Sequence, residues 1–276
     1  MPTVAGGFGE GRAAELLNVD IRALAVHRDR LYASDLGSAA IRAVDLRGSD
    51  HTATVVTGEV DFDSRTVFYP DNPNFVGQCP TGVPATSVSL RSGHRDLAFD
   101  AAGNLYTLTC GISKIDPSGT LTALAVGNRF ATAESTGEDV PALKAYLWGV
   151  AGVAPDAHGN LYYAEANGNL GYCRVRRITP GADGVLDGSS DELVRTVVGG
   201  DTCGFSGDDG PALKARLLIE THLAFDPAGN LYISERGNNR IRKVTPGPDG
   251  VIDGGEGEVI TTFAGGGTSS CIGGDT

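Results

Sequence analysis

Three residues of this sequence could together hold a divalent metal ion. Glu220 and His222 lie two positions apart. Asp96 lies far earlier in the chain, two positions after a second histidine, His94. Catalytic zinc sites take three protein ligands of these types, and calcium binds carboxylates. Glu220, His222 and Asp96 are therefore a candidate metal site, and such a site would suit a lyase or a hydrolase.

A second candidate for binding is a group of aromatic residues in a segment rich in Pro and Asn, comprising Phe62, Phe68, Tyr69 and Phe75. Aromatic rings on a loop can stack on sugars or anchor a protein partner. The same rings could instead form a small apolar cluster that covers the edge of the domain. Both interpretations stay open, and the first makes these four residues a candidate ligand-binding site.

The elements that position these residues are internal repeats. The clearest unit is Leu223–Val244, LAFDPAGNLYISERGNNRIRKV, which recurs at Leu97–Ile115 and Val153–Ile178 and in a degenerate form at Leu24–Val44. Its second and third segments alternate apolar and polar residues with the period of two that is typical of β-strands. Asp, Pro, Asn and Gly between the segments favour tight turns. Each unit therefore predicts four short antiparallel strands.

A four-stranded meander has an apolar face that it cannot bury alone, so neighbouring units must stack, and radial stacking produces a β-propeller. We predict an all-β fold and one domain over residues 1–276. Its units are approximately 3–58, 59–126, 127–200 and 201–276, with a loop insertion at 59–93. The four blades could close into a ring or form part of a longer propeller. Pro141 and Pro211 also predict helical turns in the loops between units.

The repeat resembles a known family. LAFDPAGNLYISERGNNRIRKVTP followed by ITTFAGGG, with GFSGDDGPALKARL between units, is similar to bacterial NHL-repeat propellers over nearly the whole chain except residues 59–80. The resemblance is weakest in the first unit, where Arg28-Asp29-Arg30 replaces the Gly-Asn turn. It implies a propeller, usually six-bladed, that contacts proteins, glycans or nucleic acids, with a few enzymatic relatives.

Five cysteines, Cys79, Cys110, Cys173, Cys203 and Cys271, show no spacing that would suit zinc. In such blades, the loops between strands two and three share one face with the loops that lead to the next blade. The first four cysteines fall in these loops, which predicts disulfides Cys79–Cys110 and Cys173–Cys203 and leaves Cys271 unpaired. Disulfides would place the protein outside the cell or on its surface. The alternative is free thiols in the cytoplasm.

Asp35, Glu165 and Glu235 occupy one equivalent position in three units, and the remaining one, the second unit, has Thr109 there. Repeated carboxylates could bind calcium or act as general acid and base. We interpret them instead as structural acceptors for backbone N–H groups or for nearby arginines, namely Arg42, Arg176 and Arg242. Two acidic loops, DGVLDG at 183–188 and DGVIDG at 249–254, are predicted as hairpin connections, with calcium binding as the alternative.

Charge and hydropathy limit the partners. The formal net charge is -12 with only 22 Lys and Arg, which argues against nucleic acid. No apolar run approaches the roughly 18 to 20 residues of a membrane span, so we expect no membrane insertion. We expect a binding scaffold for a protein or glycan partner, without a cofactor or with calcium. The alternative is a metal-dependent lyase or hydrolase whose site lies in the central channel.

Overall fold

The fold is all-β, with almost no helix. The computed structural model describes residues 21–35, 40–47, 53–57, 80–88, 96–108, 111–126, 137–147, 149–167, 171–200, 202–218 and 222–266. They form four antiparallel sheets arranged as a four-bladed β-propeller, which confirms the predicted fold class. No helix in these segments is long and apolar enough to cross a membrane.

The four long strands of each sheet form a meander, in which each pairs with its neighbour in sequence. Blade 1 contains β1 (Ile21–His27), β2 (Arg30–Asp35), β3 (Ala40–Asp45) and β4 (Ala53–Thr57). Blade 2 contains β5 (Val83–Pro84), β6 (Leu97–Phe99), β7 (Leu105–Leu108), β8 (Ile112–Ile115) and β9 (Thr120–Ala125). The innermost long strand of each blade comes first in sequence, and β1, β6 and β11 (Val150–Pro155) contact one another in that order.

Blades 3 and 4 repeat the arrangement of blade 2. Blade 3 adds β10 (Val140–Pro141), β12 (Leu161–Asn167), β13 (Tyr172–Thr179) and β14 (Leu193–Gly200) to β11. Blade 4 contains β15 (Gly210–Pro211), β16 (Leu223–Phe225), β17 (Leu231–Glu235), β18 (Arg240–Thr245) and β19 (Val259–Gly265). The strand pairing agrees with the predicted repeat. The register pairs Leu231 with Val244 in blade 4 and the equivalent residues Leu161 and Ile178 in blade 3.

Blades 2, 3 and 4 have five strands rather than the predicted four. The additional strand is only two residues long and pairs with the outer edge of the sheet, as β15 does with β19. A 3₁₀ turn follows it in each blade, at Ala85–Ser87, Ala142–Lys144 and Ala212–Lys214. The last two are the helical turns that Pro141 and Pro211 predicted. Two residues carry no detectable periodicity, which is why the extra strands were not predicted.

In blades 2, 3 and 4, one recurrent hydrogen-bond cluster fixes the turn between the first two long strands. In blade 3, Asp156 accepts hydrogen bonds from the backbone N–H of Asn160 at 2.9 Å, its side-chain amide at 2.7 Å and the hydroxyl of Tyr162 at 3.1 Å. The same three contacts recur in blades 2 and 4 through Asp100, Asn104 and Tyr106 and through Asp226, Asn230 and Tyr232. The conserved spacing of Asp, Asn and Tyr within the repeat is therefore structural.

Successive blades bury apolar faces against each other. We call the side of a blade that faces the next blade its forward face, and the opposite side its backward face. Between blades 3 and 4, the forward face contributes Tyr162, Val175 and Val197, and the backward face contributes Leu223, Leu231 and Ile233. Equivalent clusters join blades 1 and 2 and blades 2 and 3. Within the described segments, no such cluster joins blade 4 to blade 1.

The long hairpin loops of blades 3 and 4 also contact the preceding blade. The single hydroxyl proton of Tyr162 in blade 3 is shared between Asp156 and the carbonyl of Ile252 in blade 4, which lies 2.8 Å from the hydroxyl oxygen, and Lys114 in blade 2 donates a hydrogen bond to the carbonyl of Leu186 in blade 3. Gly188 approaches blade 2 so closely that a Cβ would lie 2.5 Å from the carbonyl oxygen of Ala123. The position therefore requires glycine.

Candidate functional site

Two of the three predicted metal ligands meet near the propeller axis. Asp96 immediately precedes β6 of blade 2, and His222 immediately precedes β16 of blade 4. The Nδ1 of His222 lies 3.3 Å from an oxygen of Asp96. The other Asp96 oxygen accepts a 2.9 Å hydrogen bond from the backbone N–H of Val153 in blade 3. One buried carboxylate therefore links three blades.

The Asp96–His222 contact raises the pKa of His222 above 6.5, chiefly because the hydrogen bond to Asp96 favours the imidazolium, while burial opposes this shift. His222 is half exposed and Asp96 is nearly buried. Glu220 and His94 lie outside the described residues. In the described part of the chain, no group of three or more His, Cys, Asp or Glu side chains is placed to hold a metal ion.

The repeated carboxylates lie inside the blades and face arginines. Glu165 is fully buried, and its carboxylate accepts a 2.6 Å hydrogen bond from Nε of Arg174, with Nη1 of Arg176 at 4.0 Å. In blade 1, Asp35 lies 3.4 Å from Nε of Arg42. These contacts agree with the interpretation of the carboxylates as structural acceptors.

Blade 4 extends the same arrangement to the loop between blades. Glu235 accepts hydrogen bonds from the backbone N–H of Leu218 and from the side chain of Asn238, both at 3.2 Å. Arg242, also fully buried, forms an ion pair with Asp208 at 2.8 Å. Arg176 donates to the carbonyl of Gly137 at the equivalent place in blade 3. The buried arginine of the third long strand thus anchors the loop that precedes its blade.

The two acidic loops are hairpin connections held by a glutamate, which the sequence reasoning did not identify. One oxygen of Glu258 accepts hydrogen bonds from the backbone N–H groups of Asp253, Gly254 and Gly255. Glu192 holds the corresponding loop of blade 3. Burial raises the pKa of Glu258 to about 7. The position of Glu192 and Glu258, five residues after the second aspartate of each loop, is a signal that could have been found.

A disulfide stabilises the loops on one rim of the propeller. Cys173 at the start of β13 is bonded to Cys203 in the loop after β14, as predicted, with an S–S distance of 2.06 Å. Asn238, in the corresponding loop of blade 4, donates a 3.0 Å hydrogen bond to the carbonyl of Gly204. The two kinds of loop therefore share one face, which we call the loop face. The predicted pair Cys79–Cys110 and the unpaired Cys271 lie outside the described residues.

An exposed aromatic ring lies on this loop face. Phe205 follows the disulfide by two residues, is 42% exposed, and stacks under the guanidinium of Arg240, which lies 3.5 Å from the ring centroid. Arg242 approaches the same ring at 5.1 Å. Sequence reasoning missed Phe205, because a single Phe in a glycine-rich loop shows no pattern. The predicted aromatic site, Phe62, Phe68, Tyr69 and Phe75, lies outside the described residues.

A charged cleft of about 420 Å³ lies between blades 3 and 4. Arg195 forms hydrogen bonds with both carboxylate oxygens of Asp139 at 2.7 Å, and Glu138 accepts hydrogen bonds from the backbone and hydroxyl of Thr196. The charged side chains of the cleft therefore form hydrogen bonds with each other and with strand β14. The cleft shows how the outer strand of blade 3 holds the loop that precedes the blade.

Comparison with known structures gives the fold. A protein of unknown function from Bacteroides thetaiotaomicron is 20% identical, with a TM-score of 0.53, over 81% of this chain and 46% of that chain. A streptogramin B lyase is 12% identical over 88% of this chain and 54% of that one (TM-score 0.45). A gluconolactonase from Xanthomonas campestris is 13% identical over 84% and 58% (TM-score 0.42).

All three are below 25% identity, and the similarity to the Bacteroides thetaiotaomicron protein shows the fold alone. The chain has the fold of a β-propeller. It spans about half the length of the structures that it matches. No protein-family model matches the sequence, and no curated protein matches it.

Proposed function

We propose that this chain is a non-catalytic binding module, an NHL-type propeller whose loop face is presented to a protein or carbohydrate partner outside the cell. The observation that carries the proposal is Phe205, a ring left 42% exposed on a loop that is held at both ends. The Cys173–Cys203 disulfide fixes its N-terminal side, and the ion pair between Asp208 and the buried Arg242 fixes its C-terminal side. A disulfide is also typical of proteins in oxidising compartments.

A rigid aromatic surface favours binding for two physical reasons. A ring that is already ordered loses little conformational entropy when a ligand covers it, so more of the contact energy appears as affinity. The guanidinium of Arg240 covers one side of Phe205 and can donate hydrogen bonds beside the ring. Such a pair suits the apolar face of a sugar together with its hydroxyls, or an exposed apolar side chain together with a carboxylate.

The test is a glycan array and an array of immobilised extracellular proteins, both probed with the labelled full chain. The glycan or protein that binds the chain on these arrays is then titrated by calorimetry against the wild type and Phe205→Ala. We expect the substitution to weaken binding about tenfold, as loss of a central aromatic contact does. Val185→Ala is the matched control, because Val185 is an exposed apolar residue of similar accessibility, 47%, on a hairpin loop at the other end of the strands. Equal affinities of wild type and Phe205→Ala would refute the proposed surface.

One observation favours a second candidate function. Asp96 and His222 come from blades 2 and 4 and meet at 3.3 Å near the axis, where a divalent metal with Glu220 as third ligand would serve a lyase or hydrolase. Metal analysis of protein purified without chelator tests this. A stoichiometric zinc or calcium that is lost in both His222→Ala and Glu220→Ala would favour the enzyme. The binding-module proposal expects no stoichiometric metal that depends on His222 and Glu220.

A further inference from the structure

The forward face of blade 4 has the composition of a covered face, yet it is exposed. Its residues Tyr232, Ile241 and Phe263 occupy the positions of Tyr162, Val175 and Val197 in blade 3. The three blade 3 residues are 0% exposed, because blade 4 covers them. By contrast, Ile241 is 39% exposed and Phe263 is 60% exposed.

The backward face of blade 1 shows the complementary exposure. Leu24 is 55% exposed and Val26 is 61% exposed. The residue equivalent to Leu24 is buried in every other blade, as Leu97 at 5% and Leu223 at 7% show. Within the described residues, one chain therefore exposes both halves of an interface like those that its own blades form with each other.

The internal interfaces show how the two exposed halves would fit. At the boundary of blades 3 and 4, the ring of Tyr162 packs edge-on against Phe225 with 4.8 Å between centroids. At the boundary of blades 1 and 2, Tyr32 packs against Phe99 at 4.6 Å. The corresponding pair at the open ends is Tyr232 on blade 4 and Val26 on blade 1. Tyr232 now packs against Phe263 of its own blade, at 5.0 Å.

We propose that the forward face of blade 4 binds the backward face of blade 1 in a second copy of the chain. The contact is head-to-tail, so two copies can satisfy both pairs of open faces in one closed ring. Exposed apolar faces of this kind mark interaction sites in soluble proteins. The partner is another copy because the chain itself carries the complementary face, on which Val26 occupies the position that Phe225 takes against Tyr162 between blades 3 and 4.

The full chain is tested by light scattering on a size-exclusion column over a range of concentrations. We expect twice the mass of one chain for the wild type, and the mass of one chain for Phe263→Asp and for Leu24→Asp. Val185→Asp introduces the same charge at an exposed apolar residue outside both faces and should remain dimeric. Circular dichroism of each variant shows whether it is folded.

Mixing the two monomeric variants separates this geometry from other forms of association. In a head-to-tail contact, Phe263→Asp retains an intact blade 1 and Leu24→Asp retains an intact blade 4, so their mixture should recover a dimer through one interface. A wild type that stays monomeric would overturn the proposal. So would a dimer that Phe263→Asp abolishes and Leu24→Asp does not, which would indicate contact between two forward faces.

Discussion

Nε of Arg174 donates a 2.6 Å hydrogen bond to the carboxylate of Glu165, and both side chains are buried within blade 3. Removing one partner of such a pair leaves a buried charge without compensation. We expect Glu165→Ala and Arg174→Ala each to lower the free energy of unfolding by about 3 to 5 kcal/mol. Urea denaturation of both variants measures the loss.

The double variant tests whether the two residues act as a pair. We expect Glu165→Ala/Arg174→Ala to lose at least about 1 kcal/mol less than the sum of the single losses, since residues in one network are coupled. Arg195→Ala is the matched control, because Arg195 pairs with Asp139 at the surface and should change stability by less than about 1 kcal/mol. Additive losses at Glu165 and Arg174 would mean that the pairing does not stabilise the blade.

The Cys173–Cys203 bond closes a loop with a sequence separation of 30 residues. In the chain-entropy account, removing a bond of this span lowers the free energy of unfolding by about 3 to 4 kcal/mol. We therefore expect Cys173→Ala/Cys203→Ala to be destabilised by that amount. A reducing agent should lower the stability of the wild type by a similar amount and leave the double variant much less affected. Equal sensitivity of both proteins to the reducing agent would contradict the assignment.

Glu258 makes the stability of blade 4 depend on pH. Burial raises its pKa from 4.5 to about 7, so the folded protein holds this proton more tightly than the unfolded chain. The contribution of Glu258 is therefore largest below pH 4.5 and declines as the pH rises from 4.5 to about 7. Glu258→Gln keeps an oxygen that accepts the loop N–H groups and cannot ionise.

We expect Glu258→Gln to remove part of the fall in stability between pH 5 and pH 8 that the wild type shows, as measured by urea denaturation at both pH values. The variant should be no less stable than the wild type at the higher pH. If both proteins lose the same free energy between the two pH values, Glu258 does not titrate in this range.

His222 contributes to stability in the same direction as Glu258, with its loss at a higher pH. The hydrogen bond to Asp96 raises its pKa above 6.5, so its contribution is complete below pH 6.5 and is lost as the pH rises through the raised value. Asp96→Asn should move the pKa of His222 back towards 6.5. Titration of the imidazole protons by NMR measures this, with the signals of the other histidines as internal controls. An unmoved His222 titration would show that the two residues do not interact in solution.

Much of the fold was predictable because the same pattern of strands and turns occurs in several units of the sequence. Alternation in NLYISE and the Asp-Pro-Ala-Gly-Asn turn each specify a local structure, and the same strands appear in every blade. The structural role of Glu165 was also predictable, since Asp35 and Glu235 repeat the carboxylate in two other units, although its hydrogen-bond partner is Arg174 and the predicted Arg176 lies at 4.0 Å.

The features that were not predictable depend on contacts between repeats. Asp96 and His222 are 126 positions apart, and only the stacking of three blades about one axis brings them together. The exposure of Phe263 is likewise absent from the sequence, because Phe263 and Val197 occupy equivalent apolar positions and differ only in what covers them. Phe205 was missed for a similar reason, since its ring is ordered by Arg240 from another strand.

The central claim is that the chain binds a partner through its loop face and not through its central channel. Hydrogen–deuterium exchange of the full chain, with and without the glycan or protein retained on the arrays, tests it most directly. We predict that binding protects the backbone of residues 203–209 and 236–240 and leaves the inner strands β6, β11 and β16 unchanged. Protection confined to residues 96–99, 150–155 and 222–225 would contradict the claim and would locate the site in the channel.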